Sequence, residues 1–263
     1  MKKTSYRLLR RLLPAAGLLG AFGGIAALPA TACAGPAENI YTPIVDYREW
    51  ELELKGGVQD WGNRDTGERA AKLAVGYGIA PRWGVEVEAE YSQTPGNVAH
   101  VEELEFENII QLTEHGAHWM DAGIFAEFDH NRLENRNTLV IGPMFQKETG
   151  RSQYNLNVLY ERRLSASPRE GEDGEGVARN GLAYVAQWKY NLHPRFQPGV
   201  QAFATLGDLA HLHSDEFKAG PAFFGVARIG NGKSLRYNAA LLAGMTRNTP
   251  DTTFRFQLEY EFF

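Results

Sequence analysis

Cysteine is almost missing from this chain, with Cys33 alone among 263 residues. One thiol closes no intramolecular disulfide and makes no CxxC zinc or redox pair. An excess of basic residues is also missing. The net charge of -5 leaves no electrostatic footprint for nucleic acid, which is excluded as a partner. Beyond residue 34 no apolar run approaches the ~18–20 residues of a membrane-spanning helix. There is no P-loop, dinucleotide fingerprint, CxxCH haem site or G-x-S-x-G nucleophile elbow. The sequence therefore points to no cofactor and to no enzyme.

What is present begins with a tripartite N-terminus. Lys2, Lys3, Arg7, Arg10 and Arg11 precede a Gly- and Ala-rich apolar run from Leu12 to Leu28. Pro29-Ala30-Thr31-Ala32-Cys33-Ala34 follows. Basic head, apolar middle and small residues are the parts of a secretory signal peptide, expected over 1–34 with cleavage after Ala32 or Ala34. A transmembrane reading suits the run less, because it is short and glycine-rich. Lipidation of Cys33 is disfavoured because Ala30 stands where such signals usually carry Leu. Residues 35–47 read as a periplasmic N-terminal segment, and 48–263 as the folded body.

In that body the dominant pattern has period two. Trp50, Leu52 and Leu54 alternate with Glu49, Glu51 and Glu53. Val85, Val87, Ala89 and Tyr91 alternate with Glu86, Glu88 and Glu90. Leu104, Phe106, Ile110 and Leu112 lie opposite Glu103, Glu105 and Glu107. Alternation gives a strand two unlike faces, whereas a helix scatters both sets. Twelve strands are expected near 48–57, 68–80, 83–92, 101–113, 117–129, 137–148, 152–164, 180–191, 195–206, 216–229, 233–246 and 252–263. Their length exceeds the usual five or six residues of soluble strands and suits a tilted bilayer crossing. Short connections such as Ala80-Pro81-Arg82 and Gly230-Asn231-Gly232 alternate with long polar ones such as 58–67, 93–100 and 165–179. Only 247–251 is short for its side. The expected fold is all-β, a closed antiparallel transmembrane β-barrel of about twelve strands with both termini on the short-turn, periplasmic side. A soluble sandwich would put its apolar face inward and need shorter strands and long crossovers.

The last strand carries Phe254, Phe256, Leu258, Tyr260 and Phe262 on one face and stops on Phe263. It resembles the assembly signal of bacterial outer-membrane proteins, except that Phe263 is out of phase with the apolar face. Gly76-Tyr77-Gly78-Ile79-Ala80-Pro81-Arg82-Trp83 and the acidic strand after it are similar to the transporters grouped with the MetA pathway of phenol degradation. That resemblance implies passage of small organic molecules and no catalytic residue.

Inward positions follow from the alternation. Glu49, Glu51, Glu53, Glu86, Glu88, Glu90, Glu103, Glu105, Glu107, Asp121, Glu127, Glu259 and Glu261 are expected to form an acidic wall, broken by Lys72 and Arg255. Arg163, Lys189, Lys218, Arg228 and Arg236 are expected opposite it as a basic wall. Charged walls separated by water select ions and orient dipolar solutes, and walls that close on each other fill the interior with ion pairs. Twelve strands lie between barrels filled by side chains and barrels with an open channel. The walls favour a porin-like, cation-leaning passage for small solutes. The competing roles are a non-conducting barrel whose long loops bind outside partners, and a lipid hydrolase or acyltransferase. The last needs a Ser–His pair at the outer rim, where His130 has no serine in register; Asn108 is a lone polar residue on an apolar face. His211 and His213 are weak metal candidates, as are His115 and His118 with Asp121. Expected partners are outer-membrane lipids, the outer-membrane assembly machinery and a small solute; no feature identifies a subunit interface.

Overall fold

The computed structural model describes residues 35–60, 62, 67–93, 100–133, 135–165, 180–207 and 215–263. The expected signal peptide at 1–34, most of the long loops, and His211 and His213 lie outside the described residues.

Twelve strands close into one antiparallel barrel. They are β1 (Trp50–Asp60), β2 (Glu68–Ala80), β3 (Trp83–Gln93), β4 (His100–Gln111), β5 (Asp121–Asn131) and β6 (Arg136–Thr149), followed by β7 (Ser152–Ser165), β8 (Asn180–Tyr190), β9 (Gln197–Thr205), β10 (Glu216–Gly230), β11 (Lys233–Gly244) and β12 (Thr252–Phe262). Each strand pairs with its neighbours in sequence. β12 closes on β1 in unbroken register from Trp50↔Phe262 to Asp60↔Thr252, so no sheet edge is left to aggregate. The tight turns sit at one end. At Asn231 and Gly232 both φ angles are positive, at 52° and 73°, as a two-residue hairpin matched to strand twist requires.

The outer face is apolar. Leu52, Leu54, Leu73, Val75, Val87, Leu104, Phe106, Ile141, Leu156, Val200 and Leu241 are all exposed. A water-soluble protein would not tolerate a continuous apolar belt of this extent; hydrocarbon covers it without cost. Trp50 stacks at an angle on Tyr77 near the short-turn end, and the Trp83 indole donates to Asn108 Oδ1 at 3.2 Å. Asn108 is thus the partner of an interfacial tryptophan, at the level where amphipathic rings settle.

Strand boundaries agree with the alternation to within a few residues. The largest displacement is at β5, expected from 117 and found from Asp121. Thr113, Gly116 and Asp121 explain it. Asp121 accepts hydrogen bonds from the Gly116 amide at 2.8 Å, and Thr113 Oγ1 accepts one from Ala122 N at 2.8 Å. These side chains hold the backbone in a turn and leave Trp119 outside, where Lys147 Nζ lies 5.6 Å from its ring centroid.

The segment expected in the periplasm lies elsewhere. Residues 35–49 form an irregular strap that climbs the inside of the barrel from the short-turn end. Its backbone rests on inward-facing glycines. A Cβ added at Gly78 would stand 2.1 Å from the Asp46 carbonyl oxygen, one at Gly57 2.3 Å from that of Pro36, and one at Gly123 2.9 Å from Pro43. No other residue type leaves room for a second backbone at that distance.

Candidate functional site

The lumen is built from the inward positions of all strands and from the strap. β1, β3, β4, β5 and β12 supply the acidic side. Glu53, Glu88, Glu105, Glu107 and Glu127 are buried, as is Asp129, which the sequence reading did not single out. Glu51, Glu86, Glu90, Glu103 and Glu259 are half-buried, and Glu49, Asp121 and Glu261 are buried near the short-turn rim.

Two lysines stand among these carboxylates. Lys55, 1 % exposed, lies 2.6 Å from Glu88, 3.5 Å from Glu53 and 3.7 Å from Glu86. Lys72 lies 3.0 Å from Glu105, 3.1 Å from Glu88, 3.3 Å from Glu90 and 4.0 Å from Glu38 of the strap. Lys72 was expected to break the wall; Lys55 was missed, although it shares the parity of Glu51 and Glu53. The two cations bridge the outer carboxylates, and Glu107, Glu127 and Asp129 extend the cluster beyond them. Negative charge remains in excess.

The opposite side is not the basic wall expected from sequence. It is mixed, with two apolar clusters set among buried amides such as Asn155, Asn157 and Gln201. Phe125, Val140, Met144, Leu159 and Ala183 pack with Tyr41 of the strap. Val185, Phe203, Ala222, Phe224, Ala240 and Leu242 pack with Ile40. The five expected basic residues are dispersed. Lys189 lies over the Phe224 ring and Lys218 over Phe203. Lys218 also donates to the Gly35 carbonyl at 3.1 Å. Arg236 turns to Glu259 and Glu261 at the rim, Arg163 stands 3.9 Å from Glu161, and Arg228 is exposed. Arg255 is fully buried beside Gln201, which accepts from it at 2.5 Å, and its guanidinium also donates to the Glu38 carbonyl at 2.5 Å.

Tyr41 is the strap's centre. Its ring stacks on Phe125 with centroids 3.8 Å apart. Its hydroxyl donates towards Glu107 at 3.1 Å and Glu127 at 3.3 Å. Its backbone makes a two-way pair with the Asn157 side chain, at 2.8 and 3.0 Å. Below it, Thr42 donates to Gln146 at 3.0 Å and Val45 N to Gln111 at 3.0 Å. Burial pushes the Tyr41 hydroxyl well above its usual value, with Glu107 and Glu127 adding to the effect, so it stays a neutral donor. Burial likewise raises the Glu38 carboxyl, against the pull of Lys72 and Lys218. Sequence reasoning missed the strap because its residues have no period. The available clue was the set of inward glycines at positions 57, 78 and 123, which leave a groove in the wall.

A cavity of about 420 Å³ lies beside the strap on the short-turn side, between Tyr41 and rim residues such as Arg236 and Glu261. Amide side chains line much of it, and Gln146, Asn155 and Gln187 are joined in one hydrogen-bonded chain. At mid-height Lys55, Glu88, Glu107, Phe125, Met144, Leu159 and Arg255 are almost wholly buried, so the strap and side chains close this section in the present conformation.

The other candidate residues are placed as follows. His115 Nδ1 lies 2.8 Å from Asp121, and His118 is exposed in the same turn. His130 pairs with Asn137 at 2.8 Å. Phe254, Phe256, Leu258, Tyr260 and Phe262 form the outward face of β12, where Phe256 covers Gly56 and Tyr260 pairs with Phe262; Phe263 is exposed past the strand end.

No protein-family model matches the sequence, and no curated protein matches it. Solved structures do resemble the fold. The NanC porin superposes with a TM-score of 0.55 at 11% identity, covering 81% of this chain and 99% of that one. The KdgM porin in complex with disordered oligogalacturonate gives 0.53 at 9% identity, covering 81% and 98%. The COG4313 outer membrane channel from Pseudomonas putida F1 gives 0.55 at 12% identity, covering 82% and 96%. At these identities the likeness establishes the architecture: this chain has the closed twelve-stranded antiparallel fold of outer-membrane barrel porins.

Proposed function

We propose that the chain is an outer-membrane, porin-like channel for small solutes, with a cation-leaning lumen that the N-terminal strap constricts. The observation that carries this reading is the carboxylate excess enclosed by a lipid-facing barrel. Lys55 and Lys72 neutralise only part of it. Fixed negative charge in a confined lumen concentrates cations and the cationic ends of solutes. The cavity on the short-turn side supplies a vestibule, and the strap, anchored by Tyr41 and Ile40 in the two apolar clusters and by hydrogen bonds along its length, separates it from the outer half. The hydrogen bonds exchange for water bonds at small net cost, so the apolar anchors set most of the resistance to displacing this constriction.

The likeness of residues 76–83 to the transporters grouped with the MetA pathway of phenol degradation, which implies small organic molecules, together with the apolar patch of Phe203 and Phe224, suits organic solutes with a cationic or dipolar group. The porins of similar fold support passage as the role, and the apolar belt supports residence in the membrane. The test is conductance of the refolded, signal-free protein in a planar bilayer, with reversal potentials in a salt gradient. Openings with cation preference, reduced when Glu86, Glu88 and Glu90 are replaced together by Gln, support the reading. Conduction with unchanged selectivity in that variant refutes the lumen assignment. A correctly folded barrel that stays silent with the strap displaced refutes the channel itself.

A further inference from the structure

We propose that Glu105, Glu127 and Asp129 form a binding site for one Ca²⁺ ion in the outer half of the lumen. Carboxylate oxygens of the three residues lie within 4.8 Å of one another, and all three side chains are buried. Two oxygens bound to the same Ca²⁺ at about 2.3–2.6 Å stand no more than about 5 Å apart, so the spacing admits the ion.

Asp129 supplies the independent observation. It is 2 % exposed, and both of its carboxylate oxygens are buried with no donor beyond the adjacent Glu127 carboxyl, itself a member of the cluster. Glu105 Oε1 is buried without a hydrogen-bond donor, while its other oxygen is held by Lys72 at 3.0 Å. Such orphaned acceptors cost free energy unless something positive meets them. The strand register adds to the cost. Asp129 stands directly across from Glu105, and Glu127 across from Glu107, which places like charges opposite each other.

Charge and chemistry select the ion. Three carboxylates with Lys72 beside them sum to about −2, which a divalent cation cancels. The donor set holds only hard oxygen, with no imidazole or thiolate, which disfavours transition metals. The Tyr41 hydroxyl on Glu127 and the diagonal placement of residues on two strands give an irregular cage. That suits the flexible coordination of Ca²⁺ better than the strict octahedron of Mg²⁺. The neighbouring groups Glu86–Glu88–Glu107 and Glu90–Glu103–Glu105 are less suited, because Lys55 and Lys72 already serve them. Conduction is not needed for this site, so its test stands apart from the channel reading.

The experiment is equilibrium dialysis of Ca²⁺ against the folded, EDTA-treated barrel in detergent, with Tb³⁺ luminescence excited at the aromatic band as a second readout. Tyr41 beside Glu127 is a suitably placed sensitiser. One Ca²⁺ per chain is expected. Asp129→Asn and Glu127→Gln should each weaken binding about tenfold or more, since ligand charge sets affinity. Glu259→Gln, outside the cluster, should leave it unchanged. Folding of each variant is checked by its heat-modifiable gel mobility. If Asp129→Asn does not fold, the wild-type stoichiometry, together with the Glu127→Gln and Glu259→Gln comparison, decides. No stoichiometric Ca²⁺ on the wild type overturns the proposal, as does binding that survives both Asp129→Asn and Glu127→Gln.

Discussion

Replacing Lys55 by Met should destabilise the barrel more than any loss of packing would explain. The methionine keeps the length and apolar stem of the side chain and removes only the ammonium. Glu88, Glu53 and Glu86, at 2.6, 3.5 and 3.7 Å, then lose their shared cation. At an effective dielectric of about 20 the attractions are about 6 kcal/mol for Glu88 and about 5 kcal/mol each for the other two. Desolvation of the buried ions offsets most of this, so the net worth of the cluster is far smaller than the sum. Removing one partner is different, because the remaining charges stay buried and uncompensated, at a cost of about 3–5 kcal/mol. With a urea dependence of about 2–3 kcal/mol per molar, the unfolding midpoint should fall by about 1–2 M at pH 7.5. The assay is urea unfolding of the lipid- or detergent-folded barrel, followed by tryptophan fluorescence and gel mobility. Lys55→Met combined with Glu88→Gln should recover a substantial part of the loss. A midpoint change under about 0.3 M, or no recovery in the double variant, refutes the view that Lys55 neutralises the wall.

Other consequences follow from the strap. Gly78→Val places a side chain where the Asp46 carbonyl sits, so the strap should lift while the barrel stays closed. Amide exchange across 35–49 should then rise strongly, with the strands unchanged. The strap's base should also respond to pH. Burial, then Glu261 and Asp46, raise Glu49 to about 7, with Arg236 opposing them. A carboxyl raised above its usual value favours the folded site while protonated, so this stabilisation is complete below about pH 4.5 and is lost as pH rises through 7. The protection of amides 42–49, relative to the intrinsic exchange rate at each pH, should fall between pH 5 and 8, and Glu49→Gln should flatten that dependence. Asn108→Leu should cost about 1 kcal/mol or less, since the Trp83 indole it accepts from is near the interface, where water replaces the bond.

The barrel was legible because lipid on one side and polar contacts on the other impose alternation on almost every strand. The acidic strands β1, β3 and β4 show it most plainly, and their inward carboxylates follow directly from parity. β8 and β9 do not alternate cleanly. Ala183, Val185 and Phe203 face inward against apolar partners, so both faces are apolar and the inner surface is invisible to a pattern that equates inward with polar. Phe125 shows the same limit, because it has the parity of Glu127 and lines the lumen to receive Tyr41. Lys55 and Asp129 obey the alternation and were legible in principle. The strap was not, since an irregular segment acquires its place only from the groove that distant glycines leave.

The most direct test of the account compares single-channel conductance of the intact, signal-free barrel with that of Gly78→Val in the same planar bilayer and salt gradient. A closed or small, cation-leaning conductance that grows in the variant, with cation preference retained, is the predicted result. Equal conductance in both proteins, with strap displacement verified by amide exchange, contradicts it.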